Sequence, residues 1–238
     1  MRQATFFVVA IFFLSSCLYT RDKRIKGNGN ISIQEKNIGD FKGISTSGNI
    51  DIEVTDGPDH TLKIETDENL MDYLVVKNEN GIIKVYTKQG YDLNPKKSIK
   101  VYATAPSFSR LDVSGSAKIT SNGKIKSDGL HTAVSGSGDI ILEVDSPKIE
   151  AEIAGSGSAK LSGATRDFSA SVSGSGDIRC YDLLTENTEI DIAGSGNAEV
   201  FASKTLDVDV AGAGNVHYKG NPSIKQNIAG AGSVKKVD

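Results

Sequence analysis

Serine supplies most of the potential nucleophiles in this chain, and its setting argues against nucleophilic catalysis. It recurs in Gly-rich steps such as Gly155-Ser156-Gly157-Ser158, which lie between strand-like segments. A nucleophile elbow needs Gly-x-Ser-x-Gly leading into a helix. A phosphate loop needs a Gly followed by Gly-Lys-Ser/Thr at fixed spacing, and none occurs. His60, His131 and His217 share no metal-ligand spacing, and the last two fall at outward strand positions. A calcium-binding nonapeptide roll would carry its acid in every repeat, whereas only Asp139 and Asp177 follow the Gly-rich step. No catalytic or metal residue is therefore expected. The acids that do align are Glu150, Glu152, Glu189, Asp191, Asp207 and Asp209, which stand one and three positions ahead of a recurring β-branched residue. Like charges stacked side by side destabilise a sheet. The column is accordingly a candidate face for a divalent cation, Ca²⁺ above all, or for a basic partner; the competing reading is a solvated surface blunted against strand pairing. Beyond that ion, no cofactor is expected.

Cysteine chemistry rests on two residues. Cys17 closes Leu14-Ser15-Ser16-Cys17, behind Arg2 and an eleven-residue apolar run from Ala4 to Leu14. That run is too short for a permanent membrane span. Its end resembles the bacterial lipobox, in which the Cys sulfur is lipidated before cleavage. Residues 1–16 then read as a lipoprotein signal peptide and Cys17 as the lipid-bearing first residue. The alternative is an ordinary secretory peptide cut nearby, with Cys17 left as a thiol. If lipid occupies Cys17, no intramolecular disulfide is available, and Cys180 falls at an inward strand position as a small buried hydrophobe. Residues 17–40, with Arg21 to Arg24 and Gly27-Asn28-Gly29-Asn30, read as a solvated tether.

The elements that must position the acids come from an internal repeat. Seventeen of the 25 glycines lie after residue 112. Most sit in phrases that open at Val113, Val134, Ile153, Val172, Ile192, Val210 and Ile228, separated by 21, 19, 19, 20, 18 and 18 residues. A period near 20 marks a solenoid. Apolar residues alternate with polar ones on both sides of each phrase, as in Phe168, Ala170 and Val172 before it and Ile178 and Cys180 after it. Period two is strand. Each unit is thus strand, Gly-rich corner and strand, followed by a variable polar connection. An antiparallel meander gives no reason for every corner to share one phrase at one phase, whereas a parallel β-helix stacks those corners. Gly136, Gly138, Gly155, Gly157, Gly174, Gly176, Gly194, Gly196, Gly212 and Gly214 are then structural, admitting a corner conformation and close neighbours that side chains would block.

The first half departs from this period. Ile44 to Val54 matches the phrase, with Ile44 as anchor, and predicts an outlying first rung. Between it and Val113 the chain predicts a strand over Thr61 to Thr66 and one or two helical turns over Asp67 to Tyr73. Next come a hairpin around Asn78-Glu79-Asn80-Gly81 and a strand from Ser98 to Ala103. Tyr73, Tyr86, Tyr91, Tyr102 and Phe108 concentrate there and predict a compact cap. The organisation is residues 1–16 signal peptide, 17–40 tether, 41–110 first rung plus β-rich cap, and 111–238 β-helix repeats.

Composition excludes other classes. The net charge is −3 from 27 basic and 30 acidic residues, which offers no basic footprint for nucleic acid. Together, the lipobox, Gly48-Asn49-Ile50 and the serial Val-Ser-Gly-Ser-Gly-Asp-Ile phrases resemble the bacterial family called "putative auto-transporter adhesin, head GIN domain", over about residues 41 to 220. The resemblance implies a single-stranded right-handed parallel β-helix joined to a β-rich part, in envelope proteins of Bacteroidota-type bacteria, and it brings no catalytic residues. The expectation is a lipid-anchored cell-envelope protein, on the periplasmic or surface face of the outer membrane. Its solenoid would present a binding or adhesion surface to a protein or glycan ligand. Two other classes fit the same pattern: a polysaccharide-active β-helix enzyme, marked by acids clustered with Lys or Arg in a groove, and a self-assembling envelope scaffold.

Overall fold

The computed structural model describes residues 22–238; Cys17 and the signal segment lie outside them. The described residues are all-β apart from one 3₁₀ segment, Glu68–Tyr73. Its main body is a parallel β-helix in which each rung contributes one strand before the Gly-rich corner and one after it.

The strands before the corner are Gly43–Gly48, Arg110–Gly115, Leu130–Gly136, Lys148–Gly155, 167–174, 187–194, Thr205–Gly212 and Ser223–Gly230. They pair in parallel so that Gly48, Gly115, Gly136, Gly155, Gly174, Gly194, Gly212 and Gly230 form one column. The strands after the corner stack likewise, from Asp51–Asp56 to Ser233–Lys236. Inward columns follow the predicted alternation. Val113, Val134, Ile153, Val172, Ile192 and Val210 are buried, as are Ile140, Ile178 and Val216, with Cys180 among them.

The corner explains the phrase. The residue after each column glycine donates its N–H to the glycine carbonyl one rung back, for example Ser195 to Gly174 and Ala213 to Gly194, both at 2.8 Å. The backbone ladder therefore continues through the bend. Column glycines have φ between +91° and +140°, and from Gly115 onward an added Cβ would meet the preceding glycine oxygen at 2.0–2.7 Å. The second glycine of each phrase is needed for space alone: at Gly196 a Cβ would lie 2.5 Å from Gly176 O and 2.6 Å from a Val172 methyl. Just past the corner, polar side chains form their own ladder. Ser158 donates to Asp139 at 2.6 Å, Asn197 to Asp177 at 3.2 Å, Asn215 to Asn197 at 3.3 Å and Ser233 to Asn215 at 2.7 Å.

The first rung is present, but two residues out of the expected phase. Val113 pairs with Thr46 and Leu111 with Ile44, so the anchor is Thr46. A shift of two keeps the same face inward, which is why alternation alone did not reveal it. Thr46 fills the Val position and satisfies its buried hydroxyl on Ile50 O at 2.8 Å.

The intervening chain folds as the cap. Thr61–Asp67 pairs antiparallel with Lys100–Ala105, which pairs in parallel with Asp51–Asp56. Leu74–Glu79 and Ile82–Thr87 form a hairpin whose second strand extends the other sheet. Only Asn80 and Gly81 make its turn, both with positive φ. Tyr73 packs on Tyr91 with ring centroids 4.7 Å apart, and Phe108 lies 6.3 Å from Phe41.

The tether expected over residues 17–40 needs correction. Lys23–Lys26 pairs in parallel with Tyr91–Asn94, and Ile31–Glu35 pairs antiparallel with Thr61–Asp67. Their anchor is the buried carboxylate of Asp67, which accepts the N–H of Gly29 at 2.5 Å and of Lys96 at 2.9 Å. Burial pushes the Asp67 pKa up, but these backbone donors outweigh it and hold the group below its usual range. Gly27 fits against the same carboxylate, where a Cβ would come within 2.4 Å of its Cγ. The polar, Gly-rich composition that suggested a spacer instead belongs to two edge strands docked on a buried acid.

At the opposite end, the rung of Ser223–Gly230 and Ser233–Lys236 pairs on one side only among the described residues. Gln226 takes an inward-column position and is exposed, and Ile224 is partly exposed. Lys225, Lys235 and Lys236 flank these strands, the usual protection of an unpaired sheet edge.

Candidate functional site

The outward face of the strands before the corner carries the acids singled out above. Register places Glu189 beside Asp207 and Asp191 beside Asp209. Glu150 and Glu152 pair instead with Ser169 and Ser171, which in turn pair with Glu189 and Asp191. One serine rung, two strand spacings of about 4.8 Å each, thus divides the column into a Glu150/Glu152 pair and a four-acid patch.

Neighbouring groups answer only part of this charge. Lys148 Nζ lies 2.6 Å from Glu150, and His131 Nδ1 lies 3.5 Å from it. The Lys148 contact holds the Glu150 carboxyl below its usual range. Lys225 binds Asp207 at 2.7 Å, and Asn227 donates to Asp209 at 2.9 Å. Among the described residues, Glu152, Glu189 and Asp191 are in no ion pair within 4.0 Å. Asp191 is pushed above its usual range by partial burial, then by Asp209 and Asp207. Deprotonating it adds charge to a face that already repels it.

Beside the acids runs a shallow groove of about 420 Å³, with Glu150, Ser169, Glu189 and Asp207 on one side and Lys148, Asp167, Asn187 and Thr205 on the other. Asn187 bridges Asp167 at 2.8 Å and Thr205 at 2.9 Å. This second row, five positions before the anchor, was missed in the sequence reading, although the same period of about 20 carries it. It lies at the mouth of the variable connections, where alternation is weakest.

Other expected features are placed as follows. His217 pairs in register with Glu199 and Lys235 on the second face. His60 sits edge-on to Phe41 and 3.3 Å from Asp40. Among the described residues no group of three His, Cys, Asp or Glu side chains is arranged to hold a metal ion. Cys180 is buried and its thiol is pushed up to about 12, chiefly by that burial. Among the described residues no helix is long and apolar enough to cross a membrane.

The family model described as "Putative auto-transporter adhesin, head GIN domain" matches residues 40–222. None of the curated proteins compared with the chain matches it. Among solved structures, a putative lipid binding protein from Parabacteroides distasonis is 31% identical, covering 91% of this chain and 100% of its own, with a TM-score of 0.76. A putative adhesin from Bacteroides fragilis is 20% identical over 90% of this chain and 100% of its own, with a TM-score of 0.83, a likeness of fold. A putative adhesin from Parabacteroides distasonis is 26% identical over 90% and 100%, with a TM-score of 0.73.

Proposed function

The chain belongs to the family described as "putative auto-transporter adhesin, head GIN domain", and from that membership we propose an extracytoplasmic, non-catalytic protein, lipid-anchored through Cys17 at the outer membrane, whose solenoid presents a binding surface. The observation that carries this reading is the acidic face. Glu189, Asp191 and Asp209 stand on strands whose register is held by buried columns on the other side and by the stacked corners. A face built this way binds without first ordering its side-chain scaffold, and so avoids part of the entropic cost of association. Its complement is a protein segment or glycan carrying basic groups; a cation would be held only diffusely, since among the described residues no three acids are arranged to chelate one.

Acids beside Lys148 in a groove are also what a carbohydrate-active enzyme would offer. A general acid needs a raised pKa, whereas Lys148 holds Glu150 below the usual range, and Asp191, which is raised, lies outside the groove lining. These directions favour binding over hydrolysis. Lipid binding, the description of the 31% identical relative, is a further reading. In this chain the interior columns from Ile44 to Val216 are filled by side chains, so lipid would be met on the outer surface.

The test compares capture of envelope components by the wild-type chain and by a variant carrying Glu189→Gln, Asp191→Asn, Asp207→Asn and Asp209→Asn. Loss of capture with thermal stability no lower than that of the wild type supports the acidic face, and identical capture refutes it. Titration with Ca²⁺ that gives neither heat nor a melting shift removes the cation.

A further inference from the structure

Lys23 is already in a strand, so at most residues 18–22 lie between Cys17 and the first described strand. Six residue steps separate Cys17 from Lys23 and reach at most about 22 Å when fully extended. The headgroup layer is itself about 5–8 Å thick. A lipid on Cys17 would therefore hold this end of the cap against the bilayer surface.

That end carries an unusual strand. In Ile31–Glu35, Ile31, Ile33 and Glu35 point away from the core, and Ile33, 62% exposed, and Ile31, 41% exposed, are among the most exposed large apolar side chains described. Among the described residues the strand pairs only with Thr61–Asp67. Resting on the lipid-anchor reading, we infer that the outer face of Ile31–Glu35 is a membrane-contact surface, with Ile31 and Ile33 seated among lipid headgroups. A short tether raises the local concentration of this strand at the bilayer, so two side chains too weak to bind alone suffice. The charges beside this strand are paired within the protein: Lys63 lies 3.9 Å from Glu35, and Lys97 binds Glu65, the residue opposite Ile33. With those charges paired, burial of Ile31 and Ile33 carries the contact, and salt should weaken it little. Ten strand pairings separate this strand from Ser233–Lys236. At about 4.8 Å each they place the last rung about 48 Å away along the stack, so Lys235 marks the end of the solenoid far from this strand.

The test uses the full chain, lipid-modified in its host, in vesicles of phosphatidylethanolamine and phosphatidylglycerol. An environment-sensitive dye is placed on Glu35→Cys or, separately, on Lys235→Cys; the buried Cys180 thiol does not compete for it. Quenching by a lipid-phase quencher should be several-fold greater at residue 35 than at 235, persist in high salt, and fall to the level at 235 when Ile31→Ser and Ile33→Ser are added. Equal weak quenching at both sites, while Cys17→Ser releases the protein from vesicles, overturns the contact and leaves the anchor standing. If Cys17→Ser protein stays on the vesicles, the anchor reading fails, and the inference with it.

Discussion

Replacing Gly194 by Ala separates stacking from simple backbone preference, because Gly48 and Gly196 each carry half of its burden. Gly48 has φ +91° but nothing within 4 Å of an added Cβ, so Gly48→Ala bears only the strain of a left-handed residue, about 1–3 kcal/mol. Gly196 has no positive φ, yet its Cβ would meet Gly176 O at 2.5 Å. Gly196→Ala thus bears only overpacking, again about 1–3 kcal/mol. Gly194 has φ +136° and a Cβ position 2.2 Å from Gly174 O. Relieving that clash spreads two corner hydrogen bonds, Ser195 to Gly174 and Ala213 to Gly194, at about 1 kcal/mol each. The expected total for Gly194→Ala is about 4–8 kcal/mol, comparable with the whole stability of an ordinary domain. Urea unfolding followed by far-ultraviolet circular dichroism measures all three variants. Stability in a solenoid is summed between neighbours, so Gly194→Ala should show an early transition of partial amplitude as the rungs beyond it detach. A Gly194→Ala midpoint equal to that of Gly48→Ala would refute the stacked-corner account.

Asp191→Asn should stabilise the fold at neutral pH by about 0.2–1 kcal/mol, the scale of a like-charge cross-strand pair. Because the native Asp191 pKa is raised, the ionised form weakens the fold; the gain should fade as pH falls through that pKa, and shrink with added salt. Asp67→Ala removes an acceptor that ties Gly29 and Lys96 together, a loss of about 1–3 kcal/mol, read as faster hydrogen exchange over Lys23–Lys26 with the solenoid unaffected. The native Asp67 pKa is depressed, so its contribution is present at neutral pH and is lost as pH falls through the folded pKa; unchanged exchange protection at low pH would contradict this. Cys180, with its thiol at about 12, should resist a thiol reagent at neutral pH until urea unfolds the chain, and prompt labelling of the native protein would show that the inward column is wrongly placed.

Much of the solenoid could be read from residue order because its physics repeats. Alternation from Phe168 to Val172 and from Ile178 to Cys180 marks the buried face of every rung, and the shared corner phrase sets the phase between rungs. The acidic pairs Glu189/Asp207 and Asp191/Asp209 follow from that phase, and the register bears them out. Where the repeat stops, so does the legibility. Thr46 replaced the usual Val or Ile, and the anchor slid to Ile44. The groove row of Lys148, Asp167, Asn187 and Thr205 lay at strand ends, next to connections of varying length. Residues 23–35 looked like a spacer because the partners of their strands, Tyr91–Asn94 and Thr61–Asp67, lie tens of residues away.

By itself the sequence determined the period, the inward columns, the corner glycines and hence the β-helix, since each depends on neighbours one rung away at nearly constant spacing. Only the tertiary structure decided how the first rung docks, how much of the acidic column stays unpaired, and that residues 23–35 belong to the fold. Those outcomes depend on long-range contacts, above all on the buried Asp67 carboxylate gathering backbone donors from Gly29 and Lys96, and no local pattern encodes such a meeting.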